Sequence, residues 1–309
     1  MKKITRILCL LLAALLPLTA CAAATTGSTP ALWRVRSGET TVYLLGSIHI
    51  GVESMYPFGE TVRRAIDEAD EFVFECDTTS GKAMVATITA MALSDGTTAQ
   101  EHMTQEQWEQ VVAACAAIGV EPKLLQLYKP WAVMTTLSTY GSMLLLAQDG
   151  GQATAELGVE NMVRQAMADK EVTESYLEET TDQLQMMEDF SQPLQDYLLE
   201  DACNSILQPQ ADNPMLHWVE WWRTGNVEDF AQSYRDNAVV EGYEAECAEY
   251  NDALLTRRNL VMAQGVAERL KAGEKRTYFV TVGLLHLALD EDSVRQCLQD
   301  MGYTVERVE

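Results

Sequence analysis

Basic residues and histidines are scarce in this sequence. Against 46 Asp and Glu stand 22 Lys and Arg, for a formal net charge of −24, and only 4 of the 309 residues are histidine. So acidic a chain is not built to bind nucleic acid, and anionic lipid repels it. The familiar catalytic signatures are missing as well: there is no HExxH, no Walker loop, no GxSxG and no dinucleotide-binding glycine pattern. The cysteines are few and far apart, with no CxxC. Five follow the N-terminal segment: Cys76, Cys115, Cys203, Cys247 and Cys297. One or two disulfides among them are open to the chain outside the cytoplasm, their pairing is unreadable, and an odd count leaves at least one thiol unpaired. A second membrane segment is also lacking. Residues 131–148 carry no charge, but Thr135, Thr136, Ser138, Thr139 and Ser142 make the stretch too polar for an easy span, so it reads as a buried helix.

What is present begins with a leader. MKKITR is a basic segment, ILCLLLAALLPL a short apolar one, and LTAC follows, the order of a secretory signal. Leu18-Thr19-Ala20-Cys21 has the form of a bacterial lipobox, with Cys21 as the lipidated first residue of the mature chain. Residues 1–20 are thus expected to be a signal peptide and 21–30, rich in small residues, a lipid-anchored flexible tether. Residues 31–309 are expected to form one domain on the bacterial cell membrane, outside the cytoplasm.

The periodicities place strands at both chain ends and helices between them. LWRVR and TVYLLGS read as a hairpin around Ser37-Gly38-Glu39, and EFVFECD as a strand after a helix over 58–69. The middle, from about 81 to 272, reads as mostly helical, with a Thr104/Gln107 capping box and a last long helix over 244–271 that stops at Gly273. A strand over 277–282, a helix from about Asp290–Asp292 to Gly302, and the strand YTVERV close the chain. The expected fold is α/β: a central mixed sheet built from strands of both chain ends, flanked by helices, with a mostly helical middle lobe.

Two apolar strands end alike. VYLLGSIH carries Gly46 and His49, and YFVTVGLLH carries Gly283 and His286. Glycine at a strand end permits a sharp turn and close approach, and sites in open α/β sheets form beyond such ends. A shared sheet would bring both imidazoles into one cleft as metal ligands or proton carriers. Glu75 ends a buried strand, suited to bind metal or act as a base; alternatively Glu75 and Asp77 cap the next helix. Arg258 falls on the inward stripe of its helix between Leu255 and Met262, facing either an ion-pair partner such as Glu75 or Asp77 or a substrate. Trp218, Trp221 and Trp222 share one helix face, as core packing or as a peptide-binding wall. His102 and His217 read as structural.

Together these segments resemble the TraB/GumN family, which is related to the Tiki metalloproteases and the erythromycin-esterase-like proteins. The residues carrying the resemblance are GSIHIG with MYPF, AIDEADEFVFECD, the stretch from ELGVENMVRQ to LEETTDQL, TRRNLVMA, YFVTVGLLHL and GYTVERV, in that order along the chain. The resemblance implies an active site of His49, Glu75, Arg258 and His286, with Asn259 and Asp77 near the substrate. It also implies a divalent metal (Mn, Co or Zn) held by His49, Glu75 and His286, and a peptide or small-molecule substrate. One departure is HLALDED, where family members often carry a glycine. The function expected is an extracytoplasmic metal-dependent hydrolase, peptidase-like; the alternative is a surface protein that sequesters a peptide or a metal without turnover.

Overall fold

The computed structural model describes residues 27–147, 151–210 and 213–309. The expected signal peptide, 1–20, and Cys21 lie outside the described residues. Six strands form one mixed sheet: β1 (Leu32–Ser37), β2 (Thr40–Ser47), β3 (Glu71–Phe74), β4 (Thr173–Tyr176), β5 (Thr277–Gly283) and β6 (Val305–Val308), in the order β4-β3-β5-β2-β1-β6. The four strands β4, β3, β5 and β2 run parallel, while β1 is antiparallel to both β2 and β6. The mixed sheet, the strands from both ends and the helical middle agree with the expected architecture.

The β1–β2 hairpin turns at Gly38, whose φ of 58° is in the left-handed region that glycine enters without strain. The central strands are covered on both faces, as parallel strands are. Phe72, Val73 and Phe74 are therefore all buried, although they point alternately to the two sides. The sheet core continues into Val266 and Leu270 of the helix Arg257–Ala272. A second core stands apart from it: Val111 and Cys115, Val133 and Leu137, and Leu199 and Cys203 join the helices Gln105–Ile118, Pro130–Leu146 and Gln192–Leu207 into the lobe. The uncharged stretch 131–148 is thus chiefly a buried lobe helix, and no helix among the described residues is long and apolar enough to cross a membrane. The Thr104/Gln107 capping box forms as expected.

Several elements depart from the sequence reading. TESY forms β4, a four-residue edge strand inside the middle that was read as helical; it has no apolar alternation to mark it, and the ladder from β3 makes it a strand. The helix expected over 244–271 is interrupted: Glu244–Asn251 passes through a π-turn at Asp252–Thr256 into Arg257–Ala272. Between β5 and the last helix stands an unexpected short helix, Leu284–Ala288. The last helix begins only at Val294, capped by Ser293 rather than by the acids before it. The five described cysteines are free thiols, four of them buried, so the disulfides left open by the sequence do not form among them.

Candidate functional site

The carboxyl ends of β4, β3, β5 and β2 lie along one edge of the sheet, and the polar residues just beyond them meet there. In the β2–β5 ladder Gly46 is opposite Val282 and Ser47 opposite Gly283, so the two GxxH segments leave the sheet side by side. They also interlock. A Cβ on Gly46 would stand 2.5 Å from Leu284 Cδ1, so the first motif's glycine makes room for the residue that follows the second motif's glycine. Trp222 donates its indole N–H to the Gly46 carbonyl at 2.8 Å, which gives the buried member of the tryptophan face a structural task.

His49 lies in the loop beyond β2. That loop is clasped by 154–159: Gly51 and Thr154 exchange two backbone hydrogen bonds of 3.0 Å, and the Val159 N–H donates to the Ile48 carbonyl. Gly158 permits the clasp, because a Cβ there would meet the His49 carbonyl oxygen at 2.2 Å. The helix Val159–Met167 starts at this contact and brings Glu160 to His49, Oε1 to Nδ1, at 2.7 Å. Ser47 donates to the same oxygen at 2.6 Å. The Glu160 carboxylate beside it pushes the His49 pKa up to about 9. With 71% of the side chain exposed, water screens part of this attraction.

His286 has the opposite setting. It projects from the helix Leu284–Ala288 rather than from a loop and is 5% exposed. Burial is the main cause that pushes its pKa down to about 4, leaving the ring neutral at pH 7. Its tautomer follows from Asn259, which is fully buried and donates its amide to the Asp292 carbonyl. The Asn259 oxygen therefore faces His286 Nδ1, 2.7 Å away, and Nδ1 must carry the proton. His286 Nε2 is left as an acceptor, 3.8 Å from Glu75 Oε1.

Glu75 follows β3 and accepts the Gly283 N–H at Oε1 and the Arg258 guanidinium at Oε2, 2.8 Å away. Burial opposes its charge, and the charges and donors around it, Arg258 among them, hold its pKa well below the usual carboxylate range. Arg258 also grips Glu178, two residues beyond β4, through Nε and a terminal nitrogen. Gln183 donates to Glu178 at 2.9 Å. Arg258, four residues before the buried Met262 on the same helix, faces the two carboxylates, while Arg257 stays exposed and pairs with Asp252. A cavity of about 450 Å³ opens beside this cluster, lined by Glu178, Gln183 and Arg258 and by Met186, Phe190 and Val261.

The edge thus brings together His49, Glu75, Arg258, Asn259 and His286, with Gly46 and Gly283 beneath them. Asp77 stands outside the cluster: its carboxylate accepts the Thr79 and Ser80 N–H groups at the turn into the next helix. His102 bonds Thr97, and His217 stacks near Trp221 with ring centroids 5.4 Å apart. The sequence reading missed Glu160, Glu178, Gln183 and Ser47 as site residues. Glu160 follows Gly158 in the first helical turn, but among 46 acids that is a faint signal.

In kind, the donors suit a divalent ion: both histidines tie Nδ1 to an acceptor and keep Nε2 free, the usual arrangement of ligating imidazoles. In placement they do not, for no three His, Cys, Asp or Glu side chains among the described residues converge to hold an ion.

The family model described as TraB/PrgY/gumN matches residues 31–307. The "Uncharacterized protein YbaP" of Escherichia coli (strain K12) is 23% identical over 268 residues, covering 84% of this chain and 88% of that protein. The protein of the same description from Shigella flexneri is similar to the same extent. No solved structure matches.

Proposed function

The chain belongs to the TraB/PrgY/gumN family, and on that premise we propose that it is a hydrolase of peptide-like bonds, anchored outside the cytoplasm, with His286 as base and His49 as acid. One observation carries this reading: the two GxxH histidines stand in opposite settings, His49 largely exposed with Nδ1 2.7 Å from the Glu160 carboxylate and His286 buried with Nδ1 2.7 Å from the Asn259 oxygen, which raises the first ring's affinity for its proton and lowers the second's. Paired groups whose surroundings split their pKa values in this way mark an acid and a base.

The 3.8 Å between His286 Nε2 and Glu75 Oε1 is too long for a hydrogen bond and suits a water bonded to both. His286 accepts a proton from that water as it attacks a carbonyl carbon. Asn259 keeps the ring in the tautomer that can accept, and the Glu75 carboxylate stabilises the imidazolium that forms. Protonated His49, with Nε2 free, supplies positive charge to the developing oxyanion and a proton to the leaving nitrogen or oxygen. Arg258 neutralises Glu75 and Glu178 and keeps them in position. The cavity next to Arg258, with Met186, Phe190 and Val261 on its apolar side, takes a substrate side chain.

A second reading keeps the metal. The engagement of both Nδ1 atoms by acceptors favours it, and a bound Mn, Co or Zn ion would supply a more acidic water.

The test uses a mixture of fluorescence-quenched peptides. Turnover that survives chelation and is lost in both His49→Gln and His286→Gln supports the acid–base reading. Turnover lost on chelation and restored by Mn, Co or Zn moves the assignment to the metal reading. Tight peptide binding with no product under either condition makes the chain a sequestering protein.

A further inference from the structure

The helix Gly81–Met91 is unusual for a surface element of so acidic a chain. It buries only Ala83 and turns Met84, Val85 and Ile88 to solvent, each more than half exposed. Beside it, joined by Leu93 N–H to the Leu127 carbonyl and Lys129 N–H to the Met91 carbonyl, runs a segment whose Leu124 and Leu127 are exposed to a similar degree. Residues 78–94 and 122–131 contain no Asp or Glu at all, yet include Lys82, Lys123 and Lys129. Lys129 is paired with Glu188 of the neighbouring helix, which leaves Lys82 and Lys123 as the unpaired charges within the two segments themselves.

The position of this face says what covers it. The helix starts six residues after Glu75, at the carboxyl edge of β3, and packs on the lobe rather than on the sheet. The chain also enters the fold at that edge. Leu32 pairs with Leu45 near the end of β2, and Ser28 bonds Pro57 and Gly59 beyond it. Gly27 is only six residues from Cys21, a reach of at most about 20 Å when extended. With Cys21 as the anchor that the sequence suggests, the anchored end of the chain and the apolar helix both belong to the carboxyl edge of the sheet.

We propose that the helix Gly81–Met91, with Leu124 and Leu127, docks on the lipid bilayer and holds the candidate site toward the membrane surface. Met84, Val85, Ile88, Leu124 and Leu127 enter the boundary between headgroups and acyl chains, and Lys82 and Lys123 extend to the phosphates. The chain as a whole is acidic and repelled by anionic lipid, and two segments that contain no Asp or Glu offer a bilayer the least repulsion. The attraction is chiefly apolar, and zwitterionic lipid suffices. Substrates within reach of the cleft would then be peptides at or near the membrane. The docking face stands independently of the hydrolytic reading.

The test is photolabelling of the full chain on phosphatidylcholine vesicles that carry a diazirine on the acyl chain, with adducts mapped by mass spectrometry. Adducts are expected in peptides covering 81–91 and 122–128. The triple variant M84S/V85S/I88S, which alters only exposed positions, should lose labelling there about tenfold while circular dichroism stays unchanged. Adducts confined to residues 1–26 would overturn the proposal, since the anchor alone would then touch lipid. Equal labelling of the triple variant would overturn it too, as would cross-links between copies through the face in the absence of vesicles, which assign it to a dimer.

Discussion

Glu160 holds His49 by a 2.7 Å contact from its carboxylate to Nδ1, across 111 residues of chain. This contact raises the histidine's affinity for its proton. Glu160→Gln should keep a hydrogen-bond acceptor and lose the charge. The basic limb of the pH–rate profile, set near 9 by His49, should move down toward the ordinary histidine value of 6.5. An unmoved basic limb in the variant would show that His49 does not set it.

Stability should depend on pH on both sides of neutrality. His286 has a folded pKa of about 4 against 6.5 when unfolded. Between those values the unfolded chain binds more protons, so stability falls as the pH is lowered through them, by about 3 kcal/mol at most from this group. The depressed Glu75 adds to the same acid-side loss. His49 has a raised pKa: its contribution is full below 6.5 and disappears as the pH rises through about 9. Urea midpoints measured from pH 4 to 10 should pass through a maximum, and His286→Gln should flatten the acid side.

Arg258→Ala should destabilise the fold by about 3–5 kcal/mol, because it leaves Glu75 and Glu178 as buried charges without their partner. Arg258→Lys keeps a charge but cannot grip both carboxylates with a planar fork, and should fall between the two. Chemical denaturation of the three proteins at pH 7 checks the order.

Gly46→Ala should push Leu284 out of place and carry the helix of His286 with it, since the new Cβ meets Leu284 Cδ1 at 2.5 Å. Leu284→Ala removes that atom. The double variant should therefore be more stable than the sum of the two single changes predicts, by about 1–3 kcal/mol. Strict additivity would mean that the interlock of the two motifs carries no energy.

Gly158→Ala should loosen the clasp on the His49 loop, because its Cβ would stand 2.2 Å from the His49 carbonyl oxygen and 2.9 Å from that of Ala155. Hydrogen exchange should quicken at the Gly51 and Val159 amides, and the basic limb of the rate profile should fall as Glu160 draws away.

Much of this molecule could be read from its pattern. The hairpin around Gly38, the capping box at Thr104, the stop at Gly273 and the largely buried helix Pro130–Leu146 follow from local rules that need only neighbouring residues. So did the position of the two GxxH segments, since an apolar run reaching a glycine marks the end of a strand to within a residue. β4 and the π-turn were illegible for the opposite reason. TESY is a strand because β3 offers it a ladder, and nothing in DALLT marks Asp252–Thr256 as a π-turn.

By itself the sequence determined the parts: two strand ends with histidines three residues beyond their glycines, a carboxylate after a buried strand, and an arginine facing inward on a long helix. Only the tertiary structure decided what each would be. Four parallel strands set their carboxyl ends along one edge, and the clasp at Gly158 delivered a carboxylate to one histidine while the short helix Leu284–Ala288 buried the other. An imidazole has the same intrinsic pKa at either position. Nearby charge raises it and burial lowers it, and both are properties of the assembled edge, which no local window of residues contains.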